Sequence, residues 1–319
     1  LFPKGFYNET QVFISVLSFD GENNGDILGT IGASASLAIS DIPWDGPVAS
    51  IRVGRVNGEF IINPTNTVLE ESDMSIIISG TKESIVMVEG EANFISESDF
   101  LGAIKYGHET IKDIVKMQEE LVQECGKAKR EFQEPEVNQD LNNAIEGLIE
   151  GKISDLNAPC DKATRYDGIR NFKQFVVQEL FDKFPDDESS IKHYIDDEIS
   201  KDLRKKTLAG TRADGRDSET VRDISIETSV LPRTHGSALF SRGETQALVV
   251  VTLGSKRDEQ MIDSIDGKSY KKHMLHYNFP PFSVGEARPK FNISRREVGH
   301  GNLAERAIKP SLPDFEEFP

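Results

Sequence analysis

The spacing of apolar positions along this chain changes twice, and each change marks a new kind of structure. Segments 11–19 (QVFISVLSF), 48–53, 74–79 (MSIIIS) and 84–88 are short, β-branched and bounded by Gly, Asn, Asp or Pro, which predicts strands. Between the first two lies 27–40, where Ile27, Leu28, Ile31, Ala35 and Ile39 recur at helical spacing. Its interleaved Gly, Ala and Ser predict a helix packed closely against a sheet, ended by Pro43. From about Ser98 the period becomes helical throughout. One stripe runs through Ile104, Ile111, Ile114, Val115, Leu121, Val122 and Cys125, and another through Leu141, Ile145, Leu148 and Ile149. Two more cover 169–184 and 190–203, separated by Phe184, Pro185, Asp186 and Asp187. After about Thr207 the period returns to two. Ile224, Ile226, Thr228 and Val230 predict a half-buried strand. Residues 236–253 predict a hairpin turning near Ser241, Arg242 and Gly243, with a buried strand over 247–253. A last helix is expected to follow His300, with Leu303, Ala304, Ala307 and Ile308 inward and Pro310 as its stop.

Composition narrows the class. The 319 residues exceed one ordinary core and suit two to three domains. No apolar run reaches the ~18 residues of a membrane helix, and no basic region followed by an apolar core marks a secretory leader. Two cysteines, Cys125 and Cys160, make neither a disulfide framework nor a zinc site. The first residue is Leu1 rather than Met, and the simplest expectation is a chain cut from something longer. The formal charge of −17 argues against a nucleic-acid binder when taken as a whole. It is, however, unevenly spread. Of the 37 Lys+Arg and 54 Asp+Glu, residues 201–319 hold 20 and 17, leaving 17 and 37 for residues 1–200. An acidic front (net −20) and a mildly basic back (net +3) predict different partners. The acids Asp186, Asp187, Glu188, Asp196, Asp197 and Glu198 read as a solvated face, the alternative being an acidic guide or a metal-attracting rim.

The candidate chemistry lies in the basic part. Arg295 and Arg296 begin a helix, where guanidinium forks join free backbone N–H groups in a setting suited to a phosphate oxyanion. The plainer alternative is a solvated pair beside a capping Glu297. His300 is either a phosphate or RNA contact or a structural residue beside Gly301. Arg288 and Lys290 add cations upstream. Arg233, His235 and Arg242 sit in a strand–turn–strand, as RNA contacts or as turn chemistry, and the turn 211–216 holds arginines able to pair with local acids. There is no P-loop, dinucleotide fingerprint, persuasive Ser–His–Asp order or Cys/His metal spacing.

Long stretches of the chain resemble the polynucleotide phosphorylase family. They are LFPKGFYNETQV (1–12), IGASASLAISDIPWDGPVASIRVGRVNGEF (31–60), RADGR (212–216), LPRTHGSALFSRGETQALVVVTLG (231–254), HYNFPPFSVGE (276–286) and RREVGHGNLAERA (295–307), in the family's order. The resemblance implies an α+β fold: ribonuclease PH-like halves, of the ribosomal protein S5 domain 2-like type, flanking an all-helical domain. On that template residues 1–98 are the later half of a first, non-catalytic copy, 99–206 the helical domain, and 207–319 the earlier half of a second copy. It implies a phosphorolytic 3′→5′ exoribonuclease of RNA and mRNA decay that releases nucleoside diphosphates. Mg²⁺ or Mn²⁺, inorganic phosphate as co-substrate, RNA 3′ ends, a homotrimer, RNA-decay partners and a cytoplasmic setting without membrane come with it.

The same resemblance places Arg295, Arg296 and His300 where the family meets RNA phosphates and the attacking phosphate. The second copy's serine loop and metal aspartates would lie beyond Pro319, so no complete catalytic set and no metal ligand are expected within these residues. In the first copy the serine-loop place falls at Asn24, Gly25 and Asp26, where a carboxylate repels phosphate. The place of the Asp-x-Lys pair falls at Ser75, Ile76 and Ile77, which supply neither a metal ligand nor a cation. A non-catalytic RNA-binding or scaffold module of the same fold is the alternative. An exosome-like ring subunit is a third reading, opposed by the fused helical domain.

Overall fold

The computed structural model describes residues 1–132, 138–265 and 267–318. The chain divides into two units, 1–134 with 254–319, and 135–253.

The first unit opens with helix α1 (Gly25–Ile39). Strands β1 (Ala49–Val56) and β2 (Glu59–Ile62), the short helix α2 (Asn66–Glu70), and strands β3 (Met74–Gly80) and β4 (Ile85–Ala92) follow. The strands form one antiparallel sheet in the order β2-β1-β3-β4. The long helix α3 (Glu97–Cys125) lies on it. Ser96 caps α3 by accepting the Asp99 N–H, satisfying one of the orphan donors of the first turn. Alternation in β1 and β3 puts Ile51, Val53, Met74, Ile76 and Ile78 on one face, where they meet Ala103, Ile111 and Val115 of α3 in a shared core. The helix comes so near that a Cβ at Gly107 would sit 2.5 Å from Ile51 Cδ1, so a larger residue there would have to displace the buried Ile51 and Ile78 side chains. Arg55 ties the start of α3 to the sheet through Asp99 (2.8 Å) and Asp73 (2.6 Å). Within the same unit β8 (Gln260–Ser264) pairs with β9 (Gly267–Lys271), and α8 spans Arg295–Ile308.

The second unit holds α4 (Gln139–Ile149), α5 (Ile153–Leu156), α6 (Lys162–Leu180) and α7 (Glu188–Leu208). Their stripes bury Leu141, Ile145, Ile149, Val176, Val177, Leu180, Ile191, Ile195 and Ile199 in a second core. It also carries an antiparallel sheet of β5 (Ile224–Thr228), β6 (Gly236–Arg242) and β7 (Thr245–Val251). The hairpin turns on Gly243 and Glu244, with Gly243 at φ 57°, a left-handed conformation that favours glycine.

Three expectations need correction. Residues 11–19 form no strand: Ile14 and Val16 lie against Gly29 and Gly25 of α1, while Phe13 and Leu17 are exposed. β-propensity describes a side chain's fit to a pleated surface and cannot supply a hydrogen-bonding partner. β5 and β7 form as expected, but Ile224, Ile226 and the apolar run 248–251 stay exposed, because alternation marks an apolar face without providing the layer that covers it. On α8, Leu303 and Ile308 are exposed and Ala307 is too; the buried positions are Glu297 and Gly301. The helix approaches the chain at Gly301, where a Cβ would lie 3.2 Å from Tyr277 Cβ. The acidic residues around α7 face solvent in local pairs, Glu188 with Lys192, Asp196 with Lys173 and Glu198 with Lys201.

Candidate functional site

The start of α8 is built by one buried carboxylate. Ser294 Oγ accepts the Glu297 N–H at 3.2 Å, and Glu297 Oε2 accepts the Ser294 N–H at 2.9 Å, closing a capping box. Glu297 is 2% exposed. Its Oε1 also accepts the Phe279 N–H at 2.8 Å and the Lys290 ammonium. Lys290 above all, and then the two backbone donors, pull the Glu297 pKa down to about 2. The carboxylate therefore stays charged and fixes the helix start against the loop that precedes it.

That arrangement decides which cations remain available. Lys290 is spent on Glu297, and Arg288 pairs with Glu286. Arg295 and Arg296, the first two residues of the helix, are exposed and have no ion pair among the described residues. Two guanidinium forks thus stand at the positive end of a capped helix, with the one nearby carboxylate already neutralised. His300 follows Arg296 by four residues, on the same helical face. Its ring meets Tyr277 edge-on, with centroids 5.5 Å apart, and Tyr277 stacks against Phe279 at 6.3 Å. The aromatic residues of the 276–286 stretch therefore hold the imidazole in place beside the arginines.

Arg233, His235 and Arg242 belong to the other unit. Arg233 lies exposed in the turn before β6, and Arg242 is exposed at the end of that strand. His235 Nδ1 accepts the Leu253 N–H at 2.8 Å, a bond that sets its tautomer and joins the two ends of the hairpin. Arg216 pairs with Asp214 at 3.0 Å and donates to the Thr220 carbonyl, which is the local pairing expected of that turn.

The residues at the two places that the resemblance assigns to a first copy also meet in space. Arg52 of β1 donates to Asp26 Oδ2 at 2.5 Å and to Ser75 Oγ at 2.8 Å. Arg52 stands opposite Ile77 in the β1–β3 register. Sequence reasoning placed Asp26 and Ser75 but missed Arg52. Only the strand pairing brings it to them.

Among the described residues no group of three or more His, Cys, Asp or Glu is placed to hold a metal ion. No helix among them is long and apolar enough to cross a membrane.

Comparison with known proteins matches two family models. Residues 46–110 fit domain 2 of the 3′ exoribonuclease family, and residues 220–319 fit its domain 1. Over its full length the chain is 46% identical to a polyribonucleotide nucleotidyltransferase of Syntrophotalea carbinolica, covering 46% of that protein. It is likewise 46% identical to one of Gemmatimonas aurantiaca (44% covered) and 47% identical to one of a Geobacter species (46% covered). The chain spans a little under half the length of these curated relatives.

Proposed function

The chain belongs to the 3′ exoribonuclease family, and from that membership we propose that it is part of a phosphorolytic 3′→5′ exoribonuclease acting on RNA. The observation that carries this reading is the unpaired pair Arg295–Arg296 at the capped start of α8, inside the stretch that matches the family's domain 1. The full-length matches to polyribonucleotide nucleotidyltransferases support it.

In this proposal the reaction needs no covalent intermediate. An oxygen of inorganic phosphate attacks the phosphorus of the last phosphodiester. The bond from that phosphorus to the 3′ oxygen of the penultimate nucleotide breaks, and that oxygen takes a proton from the incoming phosphate. A nucleoside diphosphate leaves, and the RNA is one residue shorter. Such transfer depends on positioning and charge stabilisation. Arg295 and Arg296 hold backbone phosphate oxygens, and their fixed charge favours the crowded anionic geometry. His300, four residues on, donates a ring N–H toward the attacking phosphate. Arg233 and Arg242 offer further contacts to RNA phosphates. Mg²⁺ or Mn²⁺ as cofactor, a homotrimer, RNA-decay partners and a cytoplasmic setting belong to the same proposal. Among the described residues no group of three or more His, Cys, Asp or Glu is placed to hold such an ion. The order of the matches, domain 2 before domain 1, supports the reading of 1–98 and 207–319 as parts of successive copies joined by the helical region 99–206.

The test is release of nucleoside diphosphates from poly(A) by the longer protein that carries this chain, with Mg²⁺ and with or without phosphate. Phosphate-dependent release is expected. Nucleoside monophosphates released without phosphate would overturn it in favour of hydrolysis. A second reading, an RNA-binding or scaffold module without turnover, is favoured by the Arg52–Asp26 ion pair that fills the first-copy place. Turnover that scales with the amount of isolated chain would exclude that second reading.

A further inference from the structure

The far end of α8 is tied by charge to the sheet of its own unit. Arg306 Nη2 lies 3.8 Å from Glu89 Oε1, and Lys309 Nζ lies 3.6 Å from Glu91 Oε1. Both acids belong to β4, inside the stretch that matches domain 2 of the family, whereas α8 lies inside the stretch that matches domain 1. Strand pairing explains which way the acids face. Glu89 stands opposite Ile77 and Glu91 opposite Ser75 in the β3–β4 register. Met74, Ile76 and Ile78 of β3 turn to the core shared with α3, so Ser75, Ile77 and the two acids turn to the opposite face. The spacings also match. Residues two apart on a strand lie about 6.5–7 Å apart on one face, and residues three apart on a helix lie about 5–6 Å apart. Two ion pairs therefore form side by side, where one alone would leave the helix free to pivot.

The other polar contacts of α8 are local. Glu297 binds Ser294, Lys290 and Phe279, His300 meets Tyr277, and Glu305 pairs with Lys271 at 2.7 Å. All of those partners belong to the chain just before the helix. Among the described residues, Arg306 and Lys309 make the only ion pairs or hydrogen bonds that join α8 to the domain 2 stretch. Arg306 depends on its acid the more strongly. Its Nε and Nη2 are closed to solvent and have no hydrogen bond, and Glu89 is its one ion-pair partner among the described residues. Losing that acid would leave a shielded charge uncompensated.

We propose that Glu89 and Glu91 are positioning residues for Arg295 and Arg296. They pin the C-terminal half of α8 to β4 and so aim the arginine pair at the other end of the same helix. They touch no substrate themselves. The helix has 14 residues and acts as a lever about 21 Å long, so a tilt of about 10° shifts the arginines by about 3.5 Å, more than the length of a hydrogen bond. This inference rests on the reading of the pair as an RNA-phosphate site. It gives the domain 2 stretch a part in RNA binding that its own Arg52, already answered by Asp26, does not supply.

Glu89→Gln with Glu91→Gln in the longer protein tests it, with affinity for a decameric oligo(A) read by fluorescence anisotropy. If the acids act on RNA through charge alone, removing two negative charges tightens binding. The positioning role predicts the opposite sign: binding about threefold to tenfold weaker at low salt, with faster amide exchange over the last turns of α8. In a protein already carrying R295A and R296A, the same two changes should not weaken binding further, because the groups they aim are gone. Unchanged far-UV circular dichroism certifies the fold. Should the double change disturb it, Glu91→Gln alone, whose partner Lys309 is 69% exposed, is expected to weaken binding about twofold. Unchanged or tighter binding overturns the positioning role, and so does an equal loss with and without the arginine pair. RNA binding that is indifferent to R295A and R296A themselves overturns instead the reading of that pair as an RNA site.

Discussion

Arg52 and the pair Arg295–Arg296 are cations of the same kind with opposite availability. Arg52 is answered by Asp26 and Ser75 of its own chain, and its side chain is only 16% exposed. Arg295 and Arg296 are exposed, and the one carboxylate beside them, Glu297, is buried and bound to Lys290. A guanidinium whose hydrogen bonds are already made gains little by meeting a phosphate, since it must first give up an equally good partner. Where the chain supplies the anion, the place is closed. Where it withholds one, the place is open.

Removing the open pair should have the largest effect. In the longer protein, Arg295→Ala with Arg296→Ala is expected to weaken RNA binding on the order of 100-fold at low salt, regardless of RNA sequence. The slope of log affinity against log salt should fall by roughly 1 for each lost phosphate contact, measured by filter binding across a salt series. An unchanged slope would make the pair structural.

An intermediate effect is expected from the carboxylate that holds the pair in place. The folded Glu297 pKa lies at about 2, below its ordinary value of 4.5. A depressed carboxylate contributes stability that is full above the ordinary value and is lost as pH falls through the folded one. Amides at the start of α8 should therefore lose protection against hydrogen exchange as pH falls from about 4.5 to about 2. Glu297→Gln should show weaker protection at neutral pH and no such titration. A start of α8 that titrates identically in both proteins would contradict the capping role.

The smallest effect tests the closed place. Asp26→Ala should free Arg52 and steepen the salt slope of RNA binding by up to about 1. The pair is partly exposed, so its loss should cost no more than the ~0–1 kcal/mol of surface ion pairs, measured by thermal denaturation. No change in slope would mean that Arg52 is shielded by more than its carboxylate.

Much of this contrast was legible before any coordinates. The helix beginning at Arg295 and the capping role of Glu297 are features of adjacent residues. The long motifs carried the family. Arg52 was not legible, because its partners lie 26 and 23 residues away and reach it only through β-pairing and the start of α1. Nor was the loss of Lys290 as a free cation, which depends on how deeply Glu297 is buried. The exposed apolar face of β7 and the unpaired stretch 11–19 escaped for a related reason: each needs knowledge of a neighbour that sequence spacing does not contain.

By itself, then, the sequence determined the periods of the helices, the cap beside Arg295, the glycine turn at 243 and the order of the family motifs. These follow from interactions over a few residues, where backbone sterics and hydrogen-bond reach leave little choice. The tertiary structure alone decided which arginine is satisfied and which is open. It alone spent Lys290 on the buried Glu297. Those outcomes depend on distances between residues far apart in the chain, and only packing sets them.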